Sequence, residues 1–126
     1  MIPDKTFGDL LESAHWGVGS IDRTFCHQVG AVHRKQMLES LGLVPECDFV
    51  TFPWLGNTGS VALPVTLAIG LQGGHVQAGD RIAMLGIGSG INCVMLGVQW
   101  QTTLVGARGA CPAWGEAKLP QTVASP

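Results

Sequence analysis

Charge is scarce in this sequence. Only 13% of its 126 residues are Asp, Glu, Lys or Arg, against 46% hydrophobic, whereas ordinary domains carry roughly 25% charged residues. So little polar surface implies either a deep core rich in Ala, Val, Leu and Gly or a large interface with residues outside this chain. The motifs below favour the interface. A net charge of −2 gives no electrostatic footprint for nucleic acid. Long apolar runs are also missing: the longest, Val61 to Leu71, is interrupted by Pro64 and falls well short of the about 20 residues a membrane span needs. Met1-Ile2-Pro3-Asp4-Lys5 lacks the basic start and apolar run of a secretory leader. A cytoplasmic protein with no membrane span is expected. The cysteines Cys26, Cys47, Cys93 and Cys111 form no CxxC pair, which reads as reduced thiols and not as a disulfide frame or zinc site. His15, His27, His33 and His75 show no ligand spacing to Cys or Glu, so no metal is expected.

What is present is an alternation of helix-like and strand-like segments. Phe7, Leu10, Leu11 and Ala14 fall at helical spacing, and Gly17 and Gly19 end that pattern. Arg23 to Cys26 is a brief strand. Ala31 to Leu41 interleaves Val32, Met37, Leu38 and Leu41 with His33, Arg34, Lys35, Gln36 and Glu39, a half-exposed helix closed by Gly42. Asp48 to Phe52 reads as a second strand and Pro53 to Gly59 as a loop. Ser60 is placed to cap a helix reaching about Leu71, with Pro64 tolerated in its first turn. That helix carries no charge, so burial on nearly every side is expected. Arg81 to Leu85 and Ile91 to Trp100 are two further strands, expected to pair antiparallel around a glycine turn. The order predicts an α/β layered fold with a mixed sheet and buried helices over residues 1–100. Residues 101–126, rich in Ala, Gly, Thr and Pro, read as a loosely structured tail.

Two junctions carry the candidate chemistry. His27, in Cys26-His27-Gln28-Val29-Gly30, and Asn57, in Leu55-Gly56-Asn57-Thr58-Gly59, each lie between a strand and the helix that follows it. Open α/β sheets place their sites at such strand ends. An imidazole and a carboxamide delivered from two equivalent junctions can converge on one polar group and stabilise a developing oxyanion. Alone, each has a structural explanation, His27 as a packing residue and Asn57 as a turn former. The turn Gly86-Ile87-Gly88-Ser89-Gly90 suggests a nucleotide loop, but Ile91 stands where the dinucleotide fingerprint needs glycine, and a strand follows where that motif opens a helix.

His27-Gln28, Gly56-Asn57-Thr58 and the glycine turn before a final strand together resemble the C-terminal part of a thiolase-fold condensing enzyme of the beta-ketoacyl-ACP synthase III group. Asp48 to Trp100 is most similar to the olefin-biosynthesis thiolases that join two long acyl-CoA chains, through Leu55-Gly56-Asn57, Leu85 to Gly90 and Asn92-Cys93. The resemblance implies a Claisen condensation of acyl thioesters. His27 and Asn57 would hydrogen-bond the thioester carbonyl and the enolate, and Gly88, Ser89 and Gly90 would provide the backbone of a second oxyanion hole. It implies acyl-CoA or acyl-ACP as substrate with no further cofactor, and a homodimer when complete.

Two departures accompany the resemblance. Where the group reads His-Gln-x-Asn followed by an Arg used in docking carrier protein, this chain has Gly30 and, near the Arg position, Val32. That favours CoA thioesters, although His33-Arg34-Lys35 offers a basic run to an anionic partner. The group's nucleophilic cysteine belongs to an N-terminal half, and none of the four cysteines here replaces it. Cys26 precedes His27 along a strand and should face the opposite side of the sheet. The expectation is a C-terminal segment that supplies the His and Asn, lacks the Cys and is inactive alone. The alternative is a catalytically inactive acyl-binding or dimerisation module of the same fold.

Overall fold

In this computed structural model, which describes residues 2–88 and 90–103, four strands form one mixed sheet. The strands are β1 (Arg23–Cys26), β2 (Asp48–Phe49), β3 (Arg81–Gly88) and β4 (Asn92–Gln99), in the order β2-β1-β3-β4. β1 pairs in parallel with both β2 and β3, whereas β3 turns back antiparallel against β4 with Gly88 opposite Asn92. The alternation of side chains along a strand divides the core in two. Cys26, Ala83 and Leu85 face a cluster with Phe7, Leu38 and Leu41, contributed by the helices α1 (Ile2–Ala14) and α2 (Ala31–Leu41). Phe25 and Ile82 face the other side, where Leu63, Leu67 and Ile69 of the helix α4 (Ala62–Gln72) pack with Phe49. The result is the expected α/β layering.

The second strand is much shorter than expected. β2 stops at Phe49, and the chain turns into a single helical turn, α3 (Phe52–Leu55), within the stretch read as strand and loop. Two causes act together. Pro53 has no N–H to give a sheet ladder and suits a helix start, and the backbone N–H groups of Thr51 and Phe52 both donate to the Gln28 side chain. Ser60 does not cap α4; it lies in a 3-10 turn, Gly59–Val61, and Val61 precedes the helix without a side-chain cap. Gly42, in the left-handed conformation, closes α2 as expected.

Nor is α4 buried on nearly every side. Only Ala62, Thr66 and Gly70 are buried, a stripe repeating every fourth residue along the face that meets the sheet. Its approach to β1 is close: a Cβ on Gly70 would lie 2.6 Å from Cε1 of Phe25 and 3.3 Å from Cδ1 of Phe49. The opposite side of α4 has no covering layer among the described residues. On β4, Val94 and Leu96 are 62% and 52% exposed. No helix among the described residues is long and apolar enough to cross a membrane.

His75 completes the α4 side of the core. Its ring meets Phe25 edge-on at 5.7 Å and Phe49 at 5.0 Å, and Nε2 lies 3.3 Å from the Cys47 carbonyl oxygen. Burial holds its pKa below 6.5; Arg23 pushes the same way, opposed by the Cys47 carbonyl, Asp48 and Asp80.

Two predictions follow from this packing. Gly→Ala in a helix interior ordinarily gains up to about 1 kcal/mol, but here the added methyl must displace Phe25. Gly70→Ala is expected to lose about 1–3 kcal/mol in urea unfolding; a stabilised variant would contradict the close approach. For His75, the folded state favours the neutral ring, so the unfolded chain binds more protons at mildly acidic pH. Its contribution is complete above 6.5 and is lost as pH falls below that value. Unfolding free energy measured from about pH 7 to pH 5 should therefore fall less steeply in His75→Gln than in the parent.

Candidate active site

The C-terminal ends of the parallel strands β1 and β3 open onto a cavity of about 460 Å³. His27 directly follows β1, and its backbone N–H still donates to Leu85 O of β3 at 3.0 Å, which continues the ladder by one residue. Its side chain is half-buried. Asn57 reaches the same cavity from the turn between α3 and α4. Its Oδ1 accepts the Gly59 N–H at 2.9 Å, an Asx turn that leaves the Nδ2 end available to a ligand. Gly88, the last residue of β3, lines the cavity beside Ile87. Thus His27, Asn57 and Gly88 are brought together from three different junctions. Gly90 lies in the adjoining turn and is not among the lining residues. Ser89 lies outside the described residues, as does the tail from residue 104 onward with Cys111.

The far wall was not legible as part of a site. His33, Gln36, Met37 and Ser40 of α2 line the cavity at helical spacing, on a face whose polarity reads as solvent-facing. The basic run containing His33 is also less free than it looks. Arg34 Nε donates to Asp48 Oδ2 at 2.6 Å and its Nη2 to Pro45 O at 3.1 Å, so its charge is spent inside the fold. Lys35 lies 3.9 Å from Glu39 in an exposed pair.

The residue before Arg34's helix explains one departure from the group pattern. Gly30 adopts φ 139°, ψ 160° at the N-terminus of α2, a region that glycine alone enters without strain. An Asn here would strain the backbone that carries His27 into the helix.

Cys26 is buried in the cluster under α1 and α2 and is not among the residues that line the cavity. Its thiol donates to Asp48 Oδ1 at 3.3 Å. Burial first, and then the Asp48 carboxylate, push its pKa well above 9.0, with Arg34 opposing. A thiol held protonated and out of reach is not a nucleophile for this site. Neither Cys47 nor Cys93 lines the cavity.

The sheet-and-helix arrangement is thiolase-like: an OleA structure from Xanthomonas campestris with bound lauric acid and lauroyl-CoA matches with a TM-score of 0.72 at 38% identity, covering 76% of this chain and 28% of that one. A FabH structure from Pseudomonas aeruginosa shares the fold at 20% identity, with a TM-score of 0.76, over 81% of this chain and 32% of that one. The chain belongs to the 3-Oxoacyl-[acyl-carrier-protein (ACP)] synthase III C terminal family, whose model matches residues 11–100. Among its relatives, an acyl-CoA:acyl-CoA alkyltransferase of Shewanella oneidensis is 47% identical over 95 residues, 75% of this chain and 27% of that protein. A beta-ketoacyl-[acyl-carrier-protein] synthase III of Symbiobacterium thermophilum is 31% identical over 99 residues, 79% of this chain and 30% of that protein. The chain therefore spans less than a third of the length of either relative.

The burial of Cys26 has a direct consequence for labelling. In the native protein, iodoacetamide should modify Cys26 at least roughly tenfold more slowly than Cys47 and Cys93, followed by peptide mass spectrometry. Equal rates would show that the Asp48 pocket is open.

Proposed function

We propose that this chain supplies the oxyanion-stabilising half of an acyl-condensing site, with long-chain acyl-CoA favoured as substrate. The observation that carries this reading is the meeting of His27 and Asn57 in one cavity at the ends of β1 and β3. In a Claisen condensation the donor thioester loses an α proton to a base, or an α-carboxylate as CO2, and becomes an enolate whose oxygen carries the developing negative charge. An imidazole N–H and a carboxamide N–H aimed at that oxygen stabilise it more than they stabilise the neutral thioester. The enolate carbon then attacks an acyl group held on a cysteine; the new C–C bond forms as the C–S bond breaks and the thiolate leaves. On this reading the cysteine comes from a further, N-terminal half. The chain is inactive alone, the complete enzyme is a homodimer, and no cofactor beyond the thioester takes part. The names of the alkyltransferase relatives and the lauroyl-CoA bound to OleA support acyl-CoA as the substrate class. The glycine at position 30, which presents no side chain at the mouth of α2, fits the same choice.

A second reading draws on the exposed apolar positions of α4 and β4. A module of this fold that has lost catalysis could use them to dimerise or to hold an acyl chain.

The two readings part in a graft. Residues 11–100, the family-matched stretch, replace the corresponding stretch of the Shewanella oneidensis alkyltransferase, and release of free CoA from acyl-CoA is followed. The expected result is condensation, with His27→Ala and Asn57→Ala each lowering kcat by about 10²–10³. A graft that folds and dimerises like its parent yet releases no CoA would overturn the catalytic reading and leave the inactive module.

A further inference from the structure

Gln28 is 3% exposed, and its carboxamide is almost fully used. Oε1 accepts two backbone N–H groups, Thr51 at 3.0 Å and Phe52 at 2.8 Å. Nε2 donates to Cys26 O at 2.7 Å. This pattern fixes the amide orientation, because only the oxygen can face two donors and only the nitrogen can face a carbonyl. The N–H groups of Thr51 and Phe52 stand at the start of α3, where a helix leaves its donors unpaired. Thr51 provides no side-chain cap. A residue from another junction caps the helix instead.

The Thr51 hydroxyl is free to bond elsewhere and extends the connection. Thr66 Oγ1 donates to Ala62 O at 2.6 Å, which uses its one proton. Thr51 must therefore donate to Thr66 in the 2.7 Å contact between the two hydroxyls. Hydrogen bonds thus run from Cys26 through Gln28 and Thr51 to Thr66 and Ala62. His27 sits between the two residues at one end. Asn57 sits between α3 and α4, within the stretch from Thr51 to Thr66 whose two ends this chain of bonds joins.

We propose that Gln28 is the positioning residue that sets His27 and Asn57 against one another across the cavity, an assignment that rests on reading the pair as oxyanion donors. Gln28 touches no reacting atom; it acts through the backbone on either side. Loss of its carboxamide frees the α3–α4 turn relative to the β1 end, and a displacement near 1 Å costs about 100-fold in rate for a well-oriented pair.

The test uses Gln28→Met, close in size but without either bond, and Gln28→Glu, which keeps the acceptor. In the isotopically labelled chain, Gln28→Met is expected to shift the His27 ring and Asn57 carboxamide signals while leaving the backbone amides of β3 and β4 in place. In the active graft it should lower kcat by about 10- to 100-fold with KM changed by less than about threefold. Gln28→Glu places a carboxylate against Cys26 O, and its protonated form restores a donor there. Its kcat should therefore recover toward that of the parent as pH is lowered, a profile that the parent lacks. Unchanged His27 and Asn57 signals in Gln28→Met would overturn the assignment, as would a Gln28→Glu profile parallel to that of the parent. Should Gln28→Met fail to fold, the Gln28→Glu profile decides alone. An inert graft carrying the native Gln28 counts against the proposed function, and the side-chain signals in the chain itself still decide the positioning role.

Discussion

A single buried carboxylate ties the layers of this fold together. Asp48 on β2 has no exposed side-chain surface. Its Oδ1 accepts from Thr24 Oγ1 at 2.9 Å and from Cys26 Sγ at 3.3 Å, both on β1, and its Oδ2 from Arg34 on α2. An unpaired charge in this position would cost several kcal/mol. The three donors offset that cost only if β1, β2 and α2 hold one relative placement. That requirement fixes the α2 face carrying His33, Gln36 and Met37 over the strand ends. Gln28 makes a similar demand through neutral hydrogen bonds between the end of β1 and the start of α3.

The sequence made the element order and the two junctions readable, since both rest on local signals. Gly42 ends α2, glycines flank Asn57, and a strand-like run precedes His27. The length of β2 was not readable. Phe49-Val50-Thr51-Phe52 is β-branched and aromatic like a strand, and what ends it is a side chain distant in sequence, Gln28, taking the backbone donors that a ladder would use. The α2 wall was hidden for a related reason. His33 and Gln36 have the polarity of solvent-facing residues, and only the fold shows that α2 turns them toward strand ends. Arg34 looked like a free cation for the same reason, although its partner Asp48 reads in sequence as an ordinary strand-start acid.

Apolar periodicity also failed to distinguish burial from an uncovered face. The uncharged helix α4 looked buried throughout, yet only Ala62, Thr66 and Gly70 are fully buried, while Leu63, Leu67, Ile69 and Leu71 pack on the sheet half-buried. The remainder, with Val94 and Leu96 of β4, accounts for some of the charge scarcity of the whole chain: apolar residues remain on the surface instead of filling a deeper core. Among the described residues β4 is an edge strand, with no charged residue from Asn92 to Gln99. Edge strands of independent domains usually carry charge or proline that discourages pairing. On the proposed reading, its absence fits a strand that the further half of the site covers.

The chemistry is distributed in the same uneven way. A condensing site needs a nucleophile with a low-lying thiolate and donors for an oxyanion, and these make opposite demands on their surroundings. A thiolate needs positive potential and access, whereas Cys26 lies sealed beside a carboxylate that keeps its proton in place. Donors need only a fixed direction, which buried hydrogen bonds supply well. His27 occupies a position of that second kind, continuing a sheet ladder, and Asn57 is held by an exposed Asx turn. On the proposed reading, the architecture of this chain suits stabilising charge that a cysteine elsewhere helps to create. Burial beside Asp48 is what makes Cys26 unfit to be that cysteine.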